Sequence, residues 1–135
     1  MNLFVYGSLR PGHYNFQRLF AGGVIGVRPA QSTGRLYHYM GSTRQMPMFP
    51  VACFDEPGTI AGDLIQLDSI DHQFEIEQVR WMELGAGYEE RQINVALENS
   101  HEVEAYAYHW PHGSAHRGEW IPSGDWTLEY AAYAR

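Results

Sequence analysis

The chain has 135 residues, enough for a single domain (residues 1–135) with its own hydrophobic core, and a formal net charge of −7. Its nine basic residues, all arginine, are scattered, so we expect no nucleic-acid partner. Cys53 is the only cysteine, which excludes an internal disulfide and suits a cytoplasmic protein. The apolar runs are too short for a signal peptide or a membrane span, so no membrane partner is expected.

The first twelve residues predict a buried strand that runs directly into a tight loop. Residues 3–6 form an apolar, aromatic and β-branched run typical of such a strand, and Gly7 ends it. Glycine allows a ligand to approach the backbone, and the N–H groups of Ser8 and Leu9 can then point at an anion. Because glycine and serine are also common in ordinary turns, residue type alone leaves both interpretations open.

One short helix followed by several strands is predicted in the first half of the chain. Phe16, Leu19 and Phe20 recur at helical spacing and predict a short helix that ends at residues 21–23. The remaining elements of this half are strands at residues 24–27, 34–39, 51–54 and 59–67, a break at residues 28–30, a long loop at residues 40–50 and a turn at residues 55–58.

The principal helix is predicted over residues 69–84, with Ser69 as its N-cap and Gly85 as its C-terminal glycine. Residues 88–97 and 102–110 alternate apolar and polar side chains and predict a hairpin around residues 98–101. The closing stretch, rich in glycine, proline and tryptophan, is expected to be ordered by the packing of its aromatic residues. The whole pattern predicts a mixed α/β (α+β) domain, with a small curled sheet or β-barrel flanked by a few helices.

Glu83 is the candidate for proton transfer. It falls in the last turn of the predicted helix, on the face that carries Ile76 and Val79, so its carboxylate can point inward. Burial and the negative end of the helix dipole both disfavour the charged form, and so they raise the pKa toward the range that a general base needs. The alternative, favoured by residue type alone, is a terminal glutamate exposed to solvent.

A second group of polar residues, His109, His112 and His116, is spaced as metal ligands can be. Pro111 interrupts this run, so the histidines cannot share one face of a helix. We therefore expect a solvated histidine-rich loop, no metal and no other cofactor, and we expect the purified protein to carry no stoichiometric zinc.

Residues 4–12, with the sequence FVYGSLRPG, resemble the opening motif of the γ-glutamylcyclotransferase-like family, in which the first strand runs into a Tyr-Gly-Ser/Thr-Leu loop. Other short stretches resemble that family in the same order along the chain: residues 34–37, 62–64, 85–91, 105–108 and 121–126. The resemblance implies a barrel with its cavity near the first loop. It also implies a substrate site formed by Tyr6, Gly7, Ser8, Leu9 and Tyr88.

The activity that the resemblance implies is the cyclisation of a γ-glutamyl group to 5-oxoproline, with release of an amine or amino acid. The substrate's own α-amino group attacks its side-chain carbonyl, so the protein supplies one carboxylate and several N–H donors. Glu83 would shuttle the proton, and the loop from Tyr6 to Leu9 would hold the anionic groups. The expected partner is a small γ-glutamyl substrate, whose leaving amine stays open, as does the oligomeric state.

The motif around Glu83 departs from the family's commonest form. Aligned without a gap from residues 85–89, the catalytic glutamate of the family falls on Leu84, and the Leu-Asp that usually precedes it is replaced by Arg80-Trp81. A shift of one residue rotates a helical side chain by about 100°. The alternative function is therefore a catalytically silent domain that binds 5-oxoproline or a γ-glutamyl compound.

Overall fold

The computed structural model describes residues 1–20, 26–39, 49–68, 70–110 and 118–130, apart from the side chains of Tyr14, Glu129 and Tyr130. Within these ranges the chain forms eight strands and three helices. In chain order they are β1 (Asn2–Val5), α1 (Tyr14–Phe20), β2 (Gly26–Thr33), β3 (Arg35–Tyr39), β4 (Phe49–Cys53), β5 (Thr59–Gln66), α2 (Gln73–Gly85), β6 (Glu89–Leu97), β7 (Glu102–His109), β8 (Glu119–Ile121) and α3 (Trp126–Tyr130).

Five strands close into a barrel in the order β1, β5, β2, β6 and β7. Neighbouring strands are antiparallel, except that β1 and β7 run parallel and close the barrel where Leu3 pairs with Tyr106. The other three strands form a separate sheet in the order β4, β3, β8. The predicted mixed α/β class, with a small barrel flanked by helices, is confirmed.

Two apolar clusters hold the helices to the barrel and explain why β1 is apolar from Leu3 to Val5. Phe4 points into the barrel, where it joins the alternate inward-facing residues of β6 and β7. Leu3 and Val5 point outward and pack with Ile76 and Val79 of α2. Because both faces of β1 are buried, its end is held rigidly between the barrel and the helices, and the first loop begins from that fixed point.

The predicted break at residues 28–30 is wrong, because β2 is continuous through it. Pro29 is exposed and lies just before Ala30 and Gln31, the residues through which β2 pairs with β6. Its missing N–H therefore falls outside that ladder, where a strand tolerates proline. The expected loop at residues 40–50 is also too long, since Phe49 and Pro50 begin β4; residues 40–48 lie outside the described ranges.

α2 begins later than predicted, at Gln73. The Asp68 carboxylate accepts the N–H groups of Ile70 and Asp71 at 2.8 and 2.9 Å and holds this segment in a turn before the helix. Ser69, the expected N-cap, lies outside the described residues. None of the helices in the described ranges is long and apolar enough to cross a membrane.

The closing stretch forms β8 and α3, which the sequence pattern did not predict as separate elements. Trp126, the first residue of α3, is almost fully buried, and its indole N–H donates to His38 Nδ1 on β3 at 3.0 Å. This packing agrees with the expectation that aromatic residues order the end of the chain.

Candidate active site

The end of α2 determines which way its last side chains point. Gly87 has a φ of 95°, a left-handed conformation that favours glycine. The N–H groups of Gly87 and Tyr88 donate to the carbonyls of Leu84 and Glu83 at 3.1 and 3.0 Å, which is a Schellman motif. Gly85, the predicted terminating residue, is instead the last residue of the helix, and Gly87 terminates it.

With this helix end, Glu83 and Leu84 point in different directions. Glu83 follows Val79 by four residues and lies on the same inward face, and its side chain is partly buried. Leu84 is 51% exposed, on the outer side of the helix with Trp81. The structure therefore turns the glutamate toward the barrel and turns Leu84, the residue at the family position in a gapless alignment, toward solvent.

Three tyrosines from separate parts of the chain lie close enough to Glu83 for its charge to act on them. They are Tyr6 at the end of β1, Tyr88 in the turn after α2 and Tyr108 on β7. Burial raises the pKa of all three phenols, and the nearby charge of Glu83 raises them further. Glu83 thus faces the strand end from which the first loop begins.

Each of these tyrosine hydroxyls donates to an acceptor other than Glu83. Tyr6 donates to the Tyr108 carbonyl, Tyr88 to the Pro50 carbonyl at 2.8 Å, and Tyr108 to Glu90 Oε1 at 2.9 Å. Within the described residues, no hydrogen bond or ion pair to the Glu83 carboxylate is found. Burial without a compensating partner raises the pKa of Glu83 from 4.5 to about 7.

The first loop turns tightly after β1. The Arg10 N–H donates to the Gly7 carbonyl at 3.0 Å and closes a four-residue turn. Asn15 on α1 donates its side-chain amide to the Ser8 hydroxyl at 2.6 Å. Among the described residues, none accepts a hydrogen bond from the backbone N–H groups of Gly7, Ser8 or Leu9. These three donors can therefore bind an anionic group.

The reason for glycine at position 7 differs from the one expected. A Cβ atom placed on Gly7 would lie 2.7 Å from Cγ of Pro50, so glycine lets β4 pack against the loop. The φ of Gly7 is outside the left-handed range. Contact with the rigid Pro50 ring, rather than ligand approach, is what requires glycine here.

Arg10 ties the loop to two other elements. Its Nε donates to Asp63 on β5 at 2.7 Å, and its Nη1 donates to Asp125 at 3.0 Å and to Thr127 at 2.8 Å. Asp125 also accepts the Leu128 N–H at 3.0 Å and so caps α3. This network holds the loop in one position relative to the barrel.

Glu90 on β6 is a second carboxylate near the site, and no sequence pattern assigned it a role. Its Oε1 accepts hydrogen bonds from Arg80 Nε at 2.8 Å and from the Tyr108 hydroxyl. No spacing rule connects positions 80 and 90, because a helix and the strand after it meet only in the folded protein.

An aromatic cluster adjoins Tyr88 on the side of β4. Trp110 contacts Tyr39, Phe49 and Tyr88, with ring centroids 4.7, 5.3 and 6.0 Å apart. The indole N–H of Trp110 is buried, and it has no hydrogen-bond partner among the residues that the structure describes. Tyr39, Phe49 and Trp110 border residues 40–48 and 111–117, which lie outside the described ranges.

The described residues contain no group of three or more histidine, cysteine, aspartate or glutamate side chains arranged to hold a metal ion. His109 is described, and its Nδ1 lies 2.9 Å from the Trp110 carbonyl oxygen. His112 and His116 fall outside the described ranges, so the absence of metal stays a prediction.

The barrel fold agrees with the outcome of comparison with known families. The chain belongs to the family described as "Gamma-glutamyl cyclotransferase, AIG2-like", whose model matches residues 3–128. This shows the family that the sequence motifs suggested. No functionally curated protein matches the chain.

Several solved structures share the fold. YkqA from Bacillus subtilis has a TM-score of 0.70 and 24% identity over 97% of this chain, which spans only 41% of that protein. PH0828 from Pyrococcus horikoshii has a TM-score of 0.64 and 24% identity, with 100% and 99% of the two chains covered. An AIG2-like protein from Mus musculus has a TM-score of 0.63 and 15% identity, with 90% and 85% covered.

Proposed function

We propose that this protein is a γ-glutamylcyclotransferase, which cyclises a γ-glutamyl group to 5-oxoproline and releases an amine or amino acid. Family membership supports this class of reaction. We also propose that it acts in the cytoplasm, where its buried free thiol, Cys53, would stay reduced.

The reaction is an intramolecular transfer that needs no water and no external nucleophile. The substrate's α-nitrogen forms a bond to the side-chain carbonyl carbon, and the bond from that carbon to the leaving nitrogen breaks. The α-ammonium loses two protons as it becomes the lactam N–H, and the leaving amide nitrogen gains two as it departs as an ammonium. One group that accepts and returns protons therefore suffices, because the nucleophile is already held beside the carbonyl.

Glu83 is the group that we assign to this proton transfer. With a pKa of about 7, it is close to half ionised at neutral pH, so it can accept a proton from the α-nitrogen and return it to the leaving nitrogen. The absence of donors to its carboxylate within the described residues keeps its lone pairs available for the substrate. This inward-facing carboxylate beside Tyr6 is the observation that carries the proposal.

The first loop is assigned to binding. The N–H groups of Gly7, Ser8 and Leu9 would hold the substrate's α-carboxylate and stabilise the oxyanion that develops on the attacked carbonyl. Tyr6 and Tyr88 would form the walls between this loop and Glu83, since their hydroxyls are fixed by backbone carbonyls. The Arg10 network would keep the loop in place during the reaction.

The test is the turnover of a panel of γ-glutamyl amines and γ-glutamyl amino acids, measured as 5-oxoproline released. Glu83→Gln keeps the side chain's shape but cannot accept the proton, so we expect turnover to fall on the order of 10²–10⁴-fold. Glu77→Gln, on the exposed face of the same helix, is the matched control and should retain full turnover.

Ligand binding separates an active enzyme from a silent binding domain. We expect 5-oxoproline at a hundred times its dissociation constant to stabilise both the parent and Glu83→Gln by about 2.7 kcal/mol. Glu83→Gln turning over at the parent's rate would refute the assignment of Glu83. A parent that binds 5-oxoproline but releases none from any member of the panel would refute the enzymatic function in favour of the silent domain.

A further inference from the structure

Four hydrogen-bond donors are candidates to pair with the Glu83 carboxylate, yet within the described residues none of them bonds it. Three are the tyrosine hydroxyls described above. The fourth is the guanidinium of Arg80, which precedes Glu83 by three residues, a spacing that brings two helical side chains within reach of each other. A buried carboxylate would ordinarily form an ion pair with a cation one helical turn away.

Other acceptors hold these donors, and the acceptors are of two kinds. The hydroxyls of Tyr6 and Tyr88 donate to backbone carbonyls, which no substitution removes. Arg80 Nε and the Tyr108 hydroxyl both donate to a single side-chain atom, Glu90 Oε1, at 2.8 and 2.9 Å. Arg80 also lies over the Tyr106 ring, with its guanidinium carbon 5.9 Å from the centroid, and so extends toward β7.

We propose that Glu90 is a positioning residue for Glu83: it holds Arg80 and Tyr108 and thereby leaves the Glu83 carboxylate free to receive the substrate's proton. The inference rests on the proposed function, since a carboxylate without donors is of use to a protein that needs a base. Glu90 itself has no contact with the reacting atoms in this scheme.

Arg80 would weaken Glu83 as a base only if it were released from Glu90. A cation within about 4–6 Å of a carboxylate lowers its pKa by about 1–3 units. Pairing with Arg80 would therefore return the pKa of Glu83 from about 7 toward its ordinary value of 4.5. A carboxylate of lower pKa is a weaker base, so the proton transfer would slow.

The charged and titratable groups around Glu83 come from every element packed near it. α1 contributes Arg18, whose Nη2 lies 3.2 Å from Met82 Sδ, and α2 contributes Arg80. The remaining groups are Tyr6 at the end of β1, Tyr88 after α2, Glu90 on β6 and Tyr108 on β7. Of these, the Arg80–Glu90 pair is the one whose disruption would release a full charge one turn from Glu83.

The experiment measures the pKa of Glu83 directly, by NMR titration of its carboxyl carbon, with Glu83→Gln used to assign the signal. Glu90→Gln keeps an oxygen that Tyr108 can donate to but removes the charge that holds Arg80. We expect the pKa of Glu83 to fall by about 1–2 units. The acid limb of the kcat/KM profile should shift by the same amount, and its plateau should fall on the order of tenfold.

Two further variants separate this positioning role from a structural one. In the Arg80→Gln/Glu90→Gln double variant the released cation is gone, so the pKa of Glu83 and the acid limb should return to the parent's values. Arg80→Gln alone should leave both unchanged, because Arg80 does not act on Glu83 in the parent. A purely structural role for Glu90 would predict losses that removing Arg80 does not restore.

The proposal is overturned if the pKa of Glu83 in Glu90→Gln stays within about half a unit of the parent value, or if the double variant does not restore it. It is equally overturned if Arg80→Gln alone raises that pKa by about one unit or more, a result that does not depend on the folding of Glu90→Gln. The titration needs no substrate. If the parent cyclises no substrate while Glu90→Gln still lowers the pKa of Glu83 and the double variant restores it, that outcome refutes the proposed function but supports the proposed arrangement of charges.

Discussion

Replacing Glu83 with glutamine should make the folded protein more stable at alkaline pH, although it removes the proposed base. The reason is the difference between the pKa of Glu83 in the folded protein, about 7, and its ordinary value of 4.5. Above pH 7 this carboxylate, to which none of the described residues donates a hydrogen bond, carries a charge that its buried surroundings disfavour. Glutamine has no charge to desolvate.

The sign and size of the effect follow from proton linkage. Between pH 4.5 and 7 the folded state holds more protons than the unfolded state, so the stability of the parent falls as pH rises. Below pH 4.5 the carboxyl is neutral in both states and the penalty disappears. Above pH 7 the penalty is complete, at about 3 kcal/mol, which corresponds to a change in Tm of about 10 °C for a chain of this length.

The assay is urea unfolding of the parent and of Glu83→Gln at a series of pH values from about 4 to 8, followed by tryptophan fluorescence. Trp126 is almost fully buried and reports on the loss of the core. The free energy of unfolding of Glu83→Gln, relative to the parent, should increase by about 3 kcal/mol between the two ends of the series.

Glu77→Gln is the matched control, because this carboxylate lies on the exposed face of the same helix. Its free energy of unfolding should differ from that of the parent by no more than about 0.5 kcal/mol. If the difference between Glu83→Gln and the parent were the same at both ends of the pH series, Glu83 would not be buried and unpaired, and the argument for its role as a base would fail.

Two further predictions concern the first loop. Gly7→Ala should destabilise the protein by about 1–3 kcal/mol because its Cβ would clash with the Pro50 ring, and adding Pro50→Ala should recover most of the loss; a fully stable Gly7→Ala protein would contradict this contact. Arg10→Ala should lower the free energy of unfolding by about 2–3 kcal/mol and weaken 5-oxoproline binding, since it leaves two partly buried aspartates unpaired. Arg28→Ala, which removes an exposed ion pair, should cost less than about 1 kcal/mol, and equal losses in the two variants would contradict the role of the Arg10 network.

The sequence by itself determined the features that depend on neighbouring residues. The apolar run of β1, the hairpin around residues 98–101 and the mixed α/β class follow from periodicity and turn chemistry, and the structure confirms them. The first and last residues of strands were predicted less well where pairing with a distant strand determines them. β2 continues through Pro29 because β5 pairs with it along its whole length.

The residues of the candidate site were proposed from a resemblance to the family. Periodicity placed Glu83 on the face that carries Ile76 and Val79, whereas the gapless alignment pointed to Leu84. The choice depends on where α2 ends. Gly87, rather than Gly85, takes the left-handed conformation, which places the glutamate on the buried face. Either glycine could have ended the helix, so its terminus follows from the packing of Tyr88 after it.

Only the tertiary structure decided the closure of the barrel and the surroundings of Glu83. Leu3 pairs with Tyr106, Gly7 meets Pro50, and Arg80 meets Glu90 across a helix and a strand. These contacts join residues whose separations in the sequence are set by neither the helix period nor the strand period. Their free energies arise from burial and charge in the assembled fold, so a pattern of neighbouring residues cannot predict them.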